Sequence, residues 1–440
     1  MNWRYLFPLM LLLAAPDPFA QVPGNRIIVN TTLVGEQTAP VSSADEEGTQ
    51  VLVWVSTPQD NGLPGLFARR LNIQGMPRED EFQVNSYWAP HDHPAVAMGR
   101  LGNFVVVSEN YWIEGPVSSA VTARVFDLMG LPLGPEFVVN QYTAEFQGAP
   151  GVGMDTQSRF VVVWQSWGQD GDGFGIFARQ FSAQGDPLGP EFQVNSYAQG
   201  DQTLPAVAMA EEGDFIVVWT SQGQDGDQTG VFAQRFGRTG AFLGQEFRVN
   251  FETRGRQENP DITMDGLGNI IICWQRYDLD GEGYAVYART FDRTTQLKGE
   301  EFMVHPASPD SQLFPAVDSD AEGNFLVAWQ DRSVEESRFD IMARLFNSYG
   351  QPLGESFRVD GAVEGREYAP DVVMLTRTNF SICWQSRDKG KPDWNIAYRM
   401  YRSAAVRSLA PRRESHNRHE HQNIKHSPGG PAAGSPRTGN

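Results

Sequence analysis

The chain has 440 residues, of which 40% are hydrophobic, 11% aromatic and 20% charged. This composition is typical of a globular protein with a large core and excludes a disordered or fibrous polymer. The formal net charge of −19 repels phosphate backbones, so we expect no nucleic-acid partner and favour a cation or a basic surface instead.

The first 20 residues have the order of parts of a secretory signal peptide. Arg4 precedes an apolar run over residues 5–15, and the small residue Ala20 closes the segment. The run is too short to cross a bilayer, so we expect no transmembrane span. A buried N-terminal strand or helix is the alternative, because Pro8 interrupts the run. The segment predicts a protein that is secreted, periplasmic or on the cell surface.

Seven copies of one sequence block follow, each starting at a proline and spaced by about 55 residues. The prolines are Pro40, Pro94, Pro150, Pro205, Pro260, Pro315 and Pro370. Each copy has four short runs rich in β-branched and aromatic residues, separated by Gly, Asp, Asn and Pro. In the copy from Pro150 the runs cover 151–154, 160–165, 176–181 and 191–195. Residues 21–403 are therefore predicted to form an all-β, seven-bladed β-propeller with four antiparallel strands per blade.

The last copy enters the C-terminal tail without a fourth run. Residues 26–30 (RIIVN) resemble the fourth run of the other copies, such as FQVN at 192–195. We therefore predict that the strand over 26–30 completes the seventh blade as its outermost strand. This pairing would close the ring and leave no open blade edge.

Residues that recur in every copy are interpreted as structural, because equivalent positions around a ring cannot all form one catalytic centre. The second run carries a Trp in six copies and Ser108 in the other. The third run carries an Arg in six copies, expected near the fourth-run acids such as Glu191. Cys273 and Cys383 share one repeat position two blades apart. They are too distant for a disulfide and should be buried free thiols.

The tail over 404–440 is rich in Arg, His, Pro, Gly and Ser and has no apolar period. It is predicted to be disordered. Its four histidines could bind a metal only adventitiously, because nothing there fixes ligand geometry.

The segments FVVVWQSWGQDGDGFGIFARQF (160–181) and PLGPEFQVNSY (187–197) resemble a repeat of about this length that occurs in many secreted or surface proteins of bacteria. There, several copies accompany calcium-binding adhesin modules. The resemblance covers residues 25–403 and is clearest in the third and fourth copies. It implies an extracellular or periplasmic propeller and carries no established activity.

Acidic, glycine-rich loops join the second and third runs of three copies. Asp-x-Asp-Gly spacing places two carboxylates on one side of a tight turn, as oxygen-rich calcium loops require. Asp and Gly are also ordinary turn formers, so solvated turns are the alternative. The candidate Ca²⁺ ligands are Asp170, Asp172, Asp225, Asp227, Asp278, Asp280 and Glu282.

A second acidic cluster breaks the small-residue pattern of the first runs. Asp261, Asp318 and Asp371 fall in three consecutive copies. Repeat equivalence places Asp261 and Asp371 near the mouth of the central channel and Asp318 one step deeper. A cation or polar ligand could bind there, or the carboxylates could simply be hydrated by channel water. His91, Asp92 and His93, in the loop before the second blade, could add ligands on the same face.

No nucleophile elbow, metalloprotease helix, phosphate loop or dinucleotide fingerprint is present in the sequence. The leading prediction is a non-enzymatic, monomeric propeller that binds a protein, glycan or cation on its acidic loop face, with Ca²⁺ as the one candidate cofactor. The alternative is a glycan-active hydrolase or lyase whose carboxylates are Asp261, Asp318 and Asp371.

Overall fold

The computed structural model describes residues 21–111, 119–278, 283–306, 311–333, 338–361 and 364–403. The predicted signal peptide and the predicted tail lie outside these ranges. Every regular element in the described part of the chain is a β-strand. The prediction of an all-β chain is therefore confirmed. No helix long and apolar enough to cross a membrane occurs among the described residues.

The strands follow one another in groups of four. Groups 1 to 3 contain β3 (Glu36–Ala44), β4 (Gln50–Asp60), β5 (Leu63–Leu71), β6 (Phe82–Gln83), β7 (His91–Met98), β8 (Phe104–Tyr111), β9 (Ser119–Phe126), β10 (Phe137–Val138), β11 (Gln147–Met154), β12 (Phe160–Trp167), β13 (Phe174–Phe181) and β14 (Phe192–Gln193). Groups 4 and 5 contain β15 (Gln202–Met209), β16 (Phe215–Gln222), β17 (Thr229–Phe236), β18 (Phe247–Arg248), β19 (Arg256–Met264), β20 (Ile270–Asp278), β21 (Gly283–Phe291) and β22 (Phe302–Met303). Group 6 contains β23 (Ser311–Ser319), β24 (Phe325–Ser333), β25 (Arg338–Phe346) and β26 (Phe357–Arg358).

Group 7 draws its strands from both ends of the described chain. It contains β27 (Gly365–Thr376), β28 (Asn379–Asp388) and β29 (Asn395–Ser403), together with β1 (Gln21–Pro23) and β2 (Ile27–Ile28). Ile27 and Ile28 pair antiparallel with Tyr398 and Ala397 of β29. The N-terminal strand thus takes the place that the fourth strand holds in the other groups.

Within each group the strands pair antiparallel in chain order. In group 3, β12 and β13 pair without interruption from Phe160–Phe181 to Trp167–Phe174. Groups 4 and 5 belong to one eight-stranded sheet only because Thr229 pairs with Arg256 in a single parallel contact. Each four-stranded group is thus the structural counterpart of one sequence copy.

The first strand of every group starts earlier than the sequence pattern indicates, because it contains a bulge at the repeated proline. In group 3, β11 begins at Gln147, and its register shifts between Gly148 and Gly151. The residue before each proline has a positive φ of 46–54°, a region that residues other than Gly enter at a cost. These residues are Ala39, His93, Ala149, Leu204, Asn259, Phe314 and Ala369.

The core lies between neighbouring groups. Val161 and Val163 of β12 pack with Val217 and Trp219 of β16. A similar cluster joins the last group to the first, with Tyr398 packed against Leu52 and Trp54 among others. The six repeated Trp side chains are fully buried. Several donate their indole N–H to an acceptor on the first strand, as Trp164 does to Gln147 at 2.9 Å.

The repeated Arg side chains link neighbouring groups in a way that differs from the predicted pairing with acids. Arg179 donates to the carbonyl oxygen of Val139 at 2.9 Å and to that of Gly189 at 3.1 Å. The equivalent donor–carbonyl pairs include Arg69–Val29, Arg124–Val84, Arg289–Val249, Arg344–Val304 and Arg399–Val359. The fourth-strand acids instead accept backbone N–H groups of the preceding group, as Glu191 does from Tyr142 at 3.0 Å.

Both cysteines, Cys273 and Cys383, are buried free thiols. The prediction that they do not pair is confirmed.

Candidate active site at the channel axis

The seven repeated prolines surround one opening. A cavity of about 380 Å³ is lined by all seven and by the residues that precede them. Phe314 and Leu204 keep 50% and 39% of their surface exposed at this rim. Asp261 and Asp371 also line the cavity. The opening therefore combines apolar surface with carboxylates, as small-molecule sites commonly do.

A second cavity of about 690 Å³ continues from the same carboxylates. Asp261 and Asp371 border both cavities, whereas Asp318 borders only this second one. The bulge places the residue directly after the proline, such as Asp261, at the opening. The residue two positions further along the strand, which is Asp318 in group 6, lies deeper in the second cavity. This is the relative depth that repeat equivalence predicts for the three aspartates.

Each of the three aspartates bonds to the first strand of the next group. Asp261 Oδ2 accepts the N–H of Val317 at 2.8 Å. Asp318 Oδ2 accepts the N–H of Met374 at 2.8 Å. First strands are edge strands, so alternate N–H groups have no partner within their own sheet, and a short carboxylate on the neighbour can satisfy them.

Asp371 joins the last group to the first. Its Oδ2 accepts both the backbone N–H of Ser42, at 2.5 Å, and the Ser42 hydroxyl, at 2.6 Å. No protein donor to its Oδ1 is found among the described residues. One oxygen of this carboxyl group is therefore fixed by the fold while the other stays available to a ligand in the cavity.

Burial raises the pKa of all three carboxyl groups, because the charged form loses water. The pKa is raised to about 6 for Asp261 and for Asp318, and to about 7 for Asp371. The hydrogen bonds from Ser42 lower the pKa of Asp371, but the charge of Asp261 raises it further. Near neutral pH, Asp371 is thus divided between its protonated and ionised forms.

The histidines predicted to be ligands have separate roles. His91 is fully buried; its Nδ1 lies 3.0 Å from Ser108 Oγ, and its Nε2 accepts from Asn110 at 2.9 Å. Ser108 stands where the other groups have Trp, and His91 where most of them have Gln. This pair therefore replaces the Trp–Gln hydrogen bond of the repeat, and His91 does not face the cavity. Burial lowers the pKa of His91, which favours the neutral ring.

His93 does reach the opening and lines the cavity there. Its Nδ1 lies 3.4 Å from Oε2 of Glu109, and this contact raises the pKa of His93. Asp92 is more distant, with Oδ2 at 3.9 Å from His93 Nδ1. Of the three predicted residues in this segment, only His93 lines the opening together with Asp261 and Asp371.

Glu109 is a charged residue behind the opening that the sequence reasoning did not identify. It is 1% exposed, its Oε2 accepts the N–H of Ala149 at 3.3 Å, and its Oε1 has no hydrogen-bond partner in the described part of the chain. Groups 3, 5, 6 and 7 have Gln at this position, and Gln165 makes the same bond to the N–H of Leu204 at 3.0 Å. The exchange of Gln for Glu in a single copy is the sequence signal that could have identified it.

The described acidic loops use their carboxylates as acceptors for turns and for the neighbouring group. Asp170 accepts from Asn195 at 3.1 Å, and Asp172 accepts the N–H of Gly200 at 3.0 Å. Asp225 and Asp227 make the equivalent bonds to Asn250 and Gly255. Among the described residues, no three His, Cys, Asp or Glu side chains come together as a metal-binding group.

Part of the predicted calcium set cannot be placed. Asp280 and Glu282 lie outside the described residues, as does the side chain of Asp278. Calcium binding by the loops stays a prediction.

The chain matches no family model. It also matches none of the curated proteins.

Solved structures do resemble it. A protein of unknown function from Dyadobacter fermentans aligns with a TM-score of 0.55 and 10% identity, over 88% of this chain and 100% of that one. The β-propeller domain of the Trilobed protease from Pyrococcus furiosus aligns with a TM-score of 0.48 and 9% identity, over 85% and 96%. An α-L-arabinanase from Penicillium chrysogenum, complexed with arabinobiose, aligns with a TM-score of 0.47 and 12% identity, over 74% and 99%. At such identities the likeness concerns the fold, which is of the β-propeller type.

The leading prediction of a non-enzymatic binding propeller is wrong in the light of these comparisons. The matched structures with a named activity include arabinanases, α-L-arabinofuranosidases and a sialidase, all of which are glycan-cleaving enzymes. These names agree better with the alternative prediction, a glycan-active hydrolase or lyase. What those enzymes cleave is a property of those proteins, and the case for this chain depends on its own residues.

Proposed function

We propose that this protein is a glycan-active hydrolase whose reacting carboxyl groups are Asp371 and Asp261. The observation that carries the proposal is the state of Asp371. Its carboxyl group borders both axial cavities, has a pKa raised to about 7, and is held through one oxygen only. A carboxylic acid that keeps its proton near neutral pH is what general acid catalysis of glycoside cleavage requires.

The two carboxyl groups differ in the way that such a reaction needs. Asp371 gives its proton to the glycosidic oxygen as the bond from that oxygen to the sugar carbon breaks. Asp261, with the lower pKa of about 6, is more fully ionised and stabilises the positive charge that develops on the sugar ring. Water then adds to that carbon, and its released proton restores Asp371. The products are a free hydroxyl group and a reducing sugar.

The opening suits a sugar chain. Phe314 and Leu204 offer apolar surface on which the face of a sugar ring can pack. His93 and the carboxylates offer polar partners for its hydroxyl groups. The cavities, at about 380 and 690 Å³, fall within the usual range for ligand sites, roughly 300–1,000 Å³.

We also propose that the site lies on the axis of seven blades arranged as a closed ring. Supporting this, one opening is lined by the prolines of all seven groups. Asp371 of the last group bonds to Ser42 of the first, and β2, which directly precedes the first group in the chain, pairs with β29 of the last. The first 20 residues favour export, which would place the enzyme among extracellular or cell-envelope glycans.

Release of reducing ends from a panel of plant, microbial and host polysaccharides would test the activity. For the wild-type protein we expect cleavage of at least one glycan. Asp371→Asn should lower kcat by at least about a hundredfold, while its amide oxygen still accepts from Ser42. The matched control is Ser43→Ala, because Ser43 accepts the N–H of Met98 at 3.0 Å and thus links two groups without a carboxylate. An Asp371→Asn variant as active as the wild type, or loss of activity in both variants alike, would overturn the assignment.

A further inference from the structure

A basic pocket lies at the outer part of groups 6 and 7. This cavity of about 570 Å³ is bordered by Arg338, Arg366, Arg387, Lys389 and Lys391. Among the described residues, two acids, Glu364 and Asp388, border it as well. In a chain of net charge −19, five cations around one cavity are a local reversal of charge.

The reversal arises in a loop that is acidic elsewhere in the repeat. Between the second and third strands of group 3 lie Asp170 and Asp172, and the same loop of group 4 has Asp225 and Asp227. The loop of group 7 reads RDKGKPDW over 387–394. Only this loop brings two lysines, and the neighbouring strand β27 adds Arg366.

Both acids of the pocket are already paired. Glu364 accepts from Lys389 Nζ at 2.6 Å, and Asp388 accepts from Arg26 at 3.1 Å. Arg366 and Lys391 are exposed, and neither has an acidic partner in the described part of the chain. Within the described ranges, the pocket therefore presents two cationic side chains, Arg366 and Lys391, that no carboxylate neutralises.

A row of aromatic rings runs beside these cations. The Arg387 guanidinium lies 4.5 Å from the centre of the Trp394 ring. Trp394 and Tyr368 have ring centres 5.1 Å apart, and Tyr368 and Phe339 have ring centres 4.7 Å apart. Partly exposed aromatic rings beside fixed guanidinium groups suit a sugar polymer that carries anions better than they suit a bare phosphate chain.

The pocket lies at the same end of the sheets as the axial opening. Strand β27 starts at Gly365, which borders the pocket, and continues to Asp371 at the axis. Six residues of strand span at most about 20 Å, and less here because of the bulge between Tyr368 and Asp371, a distance that a short run of sugar units can cover.

We propose that this pocket binds the carboxylate or sulfate groups of an anionic polysaccharide. The assignment of the bound polymer as the substrate rests on the proposed hydrolase function, since the same chain would run from the pocket to Asp371. Binding at the pocket does not depend on that function. The proposal thus names the substrate class as acidic glycans.

Binding, measured without turnover, tests the pocket. The probes are polygalacturonate for carboxylates, dextran sulfate for sulfate esters, uncharged dextran, and inorganic polyphosphate as an anion without sugar. We expect the full-length protein to retain at least one of the two acidic glycans, more weakly as salt rises, and to bind dextran and polyphosphate at least about tenfold more weakly. Which acidic glycan binds distinguishes carboxylate from sulfate recognition.

The double variant Arg366→Ser/Lys391→Ser should weaken binding about tenfold. The control is Arg254→Ser/Lys298→Ser, which removes two cations elsewhere, and it should leave the affinity unchanged. The basic tail is present in the wild type and in both variants, so a difference in affinity between them comes from the pocket. Absence of binding, equal binding of polyphosphate, or equal weakening in the control would overturn the proposal. The binding assay involves no turnover, so a failure of the proposed hydrolase activity leaves its result unchanged, and the two proposals fail separately.

Discussion

Asp371 Oδ2 accepts both the backbone N–H and the hydroxyl of Ser42, at 2.5 and 2.6 Å, across a sequence separation of 329 residues. One carboxyl oxygen thus joins the last strand group to the first. The same carboxyl group borders the axial cavities. Oδ2 therefore helps to hold the fold together, whereas Oδ1 is available to a ligand.

The Ser42 hydroxyl should stabilise the ionised form of Asp371 specifically. We expect Ser42→Ala to raise the pKa of Asp371 and to lower the free energy of unfolding by about 1 kcal/mol at pH 8, with a smaller loss at pH 5, where Asp371 is protonated. Urea unfolding at both pH values measures this. Ser43→Ala removes a hydroxyl that bonds to Met98 and not to Asp371, so its loss should be the same at both pH values. If Ser42→Ala also behaves identically at pH 5 and pH 8, the Ser42 hydroxyl does not govern the charge of Asp371.

The raised pKa of Asp371 also predicts how stability depends on pH. A carboxyl group whose pKa is about 7 when folded and near 3.8 when unfolded holds its proton more tightly in the folded state. Its stabilising contribution is complete below about pH 4 and is lost as the pH rises through 7. Between pH 5 and pH 8 the wild type should therefore lose roughly 2 kcal/mol more of its free energy of unfolding than Asp371→Asn loses.

This difference between the two proteins reports Asp371 together with Asp261 and Asp318, whose charges interact with it, and removes the contribution of titrating groups that do not interact with Asp371. His91, whose pKa is lowered by burial, acts in the opposite direction because its unfolded form gains a proton as the pH falls below about 6.5. It is present in both proteins and cancels in the comparison. Parallel pH dependence in the wild type and the variant would show that Asp371 is ionised throughout the folded state.

Much of the fold could be predicted because the repeat exposes its own period. Prolines about 55 residues apart delimit the copies, and residues 26–30 were recognisable as a displaced fourth strand. The relative depth of Asp318 also followed from repeat equivalence. These inferences need only the order and spacing of residues along one copy.

The hydrogen-bond partners of the site could not be predicted in the same way. The backbone N–H that bonds to Asp318 is set by the register that the bulge before each proline imposes. The sequence does not reveal this bulge, because a residue such as Phe314 gives no indication of its positive φ. His91 is of a residue type that commonly binds metals. Its structural role, in place of the Gln of the Trp–Gln hydrogen bond, follows only from its contact with Ser108. The three aspartates could not be singled out as candidate reacting groups for a related reason, since carboxylates in an acidic chain become distinctive only once their burial is known.

The natural exchange of the repeated Arg for Gln in group 4 suggests a test of how much this Arg contributes to stability. Arg179 donates to the carbonyl oxygens of Val139 and Gly189, whereas group 4 has Gln234 at the same position, bonded within its own group to the carbonyl oxygens of Arg235 and Gly244. Arg179→Gln should lower the free energy of unfolding by about 1–3 kcal/mol, the usual range for bonds from a charged donor. The reverse change, Gln234→Arg, restores the repeat and should not destabilise the protein. Thermal and urea unfolding of both variants would measure the effects, and a stable Arg179→Gln protein would show that these bonds are dispensable.

The close approach of Gly148 to Glu109 gives the last prediction. A Cβ atom at residue 148 would lie 2.4 Å from Glu109 Oε2, and Glu109 is held there by the N–H of Ala149 and by His93. Gly148→Ala should therefore destabilise the protein by about 2–4 kcal/mol, because the carboxylate must leave a buried position. Glu109→Ala removes the obstructing group at the cost of its own hydrogen bonds. The double variant should thus lose less stability than the two single variants combined, by at least about 1 kcal/mol in a urea-unfolding cycle. Additive losses would mean that the added methyl group is obstructed by the Phe146 ring, whose Cε1 would lie 2.6 Å from it, rather than by Glu109.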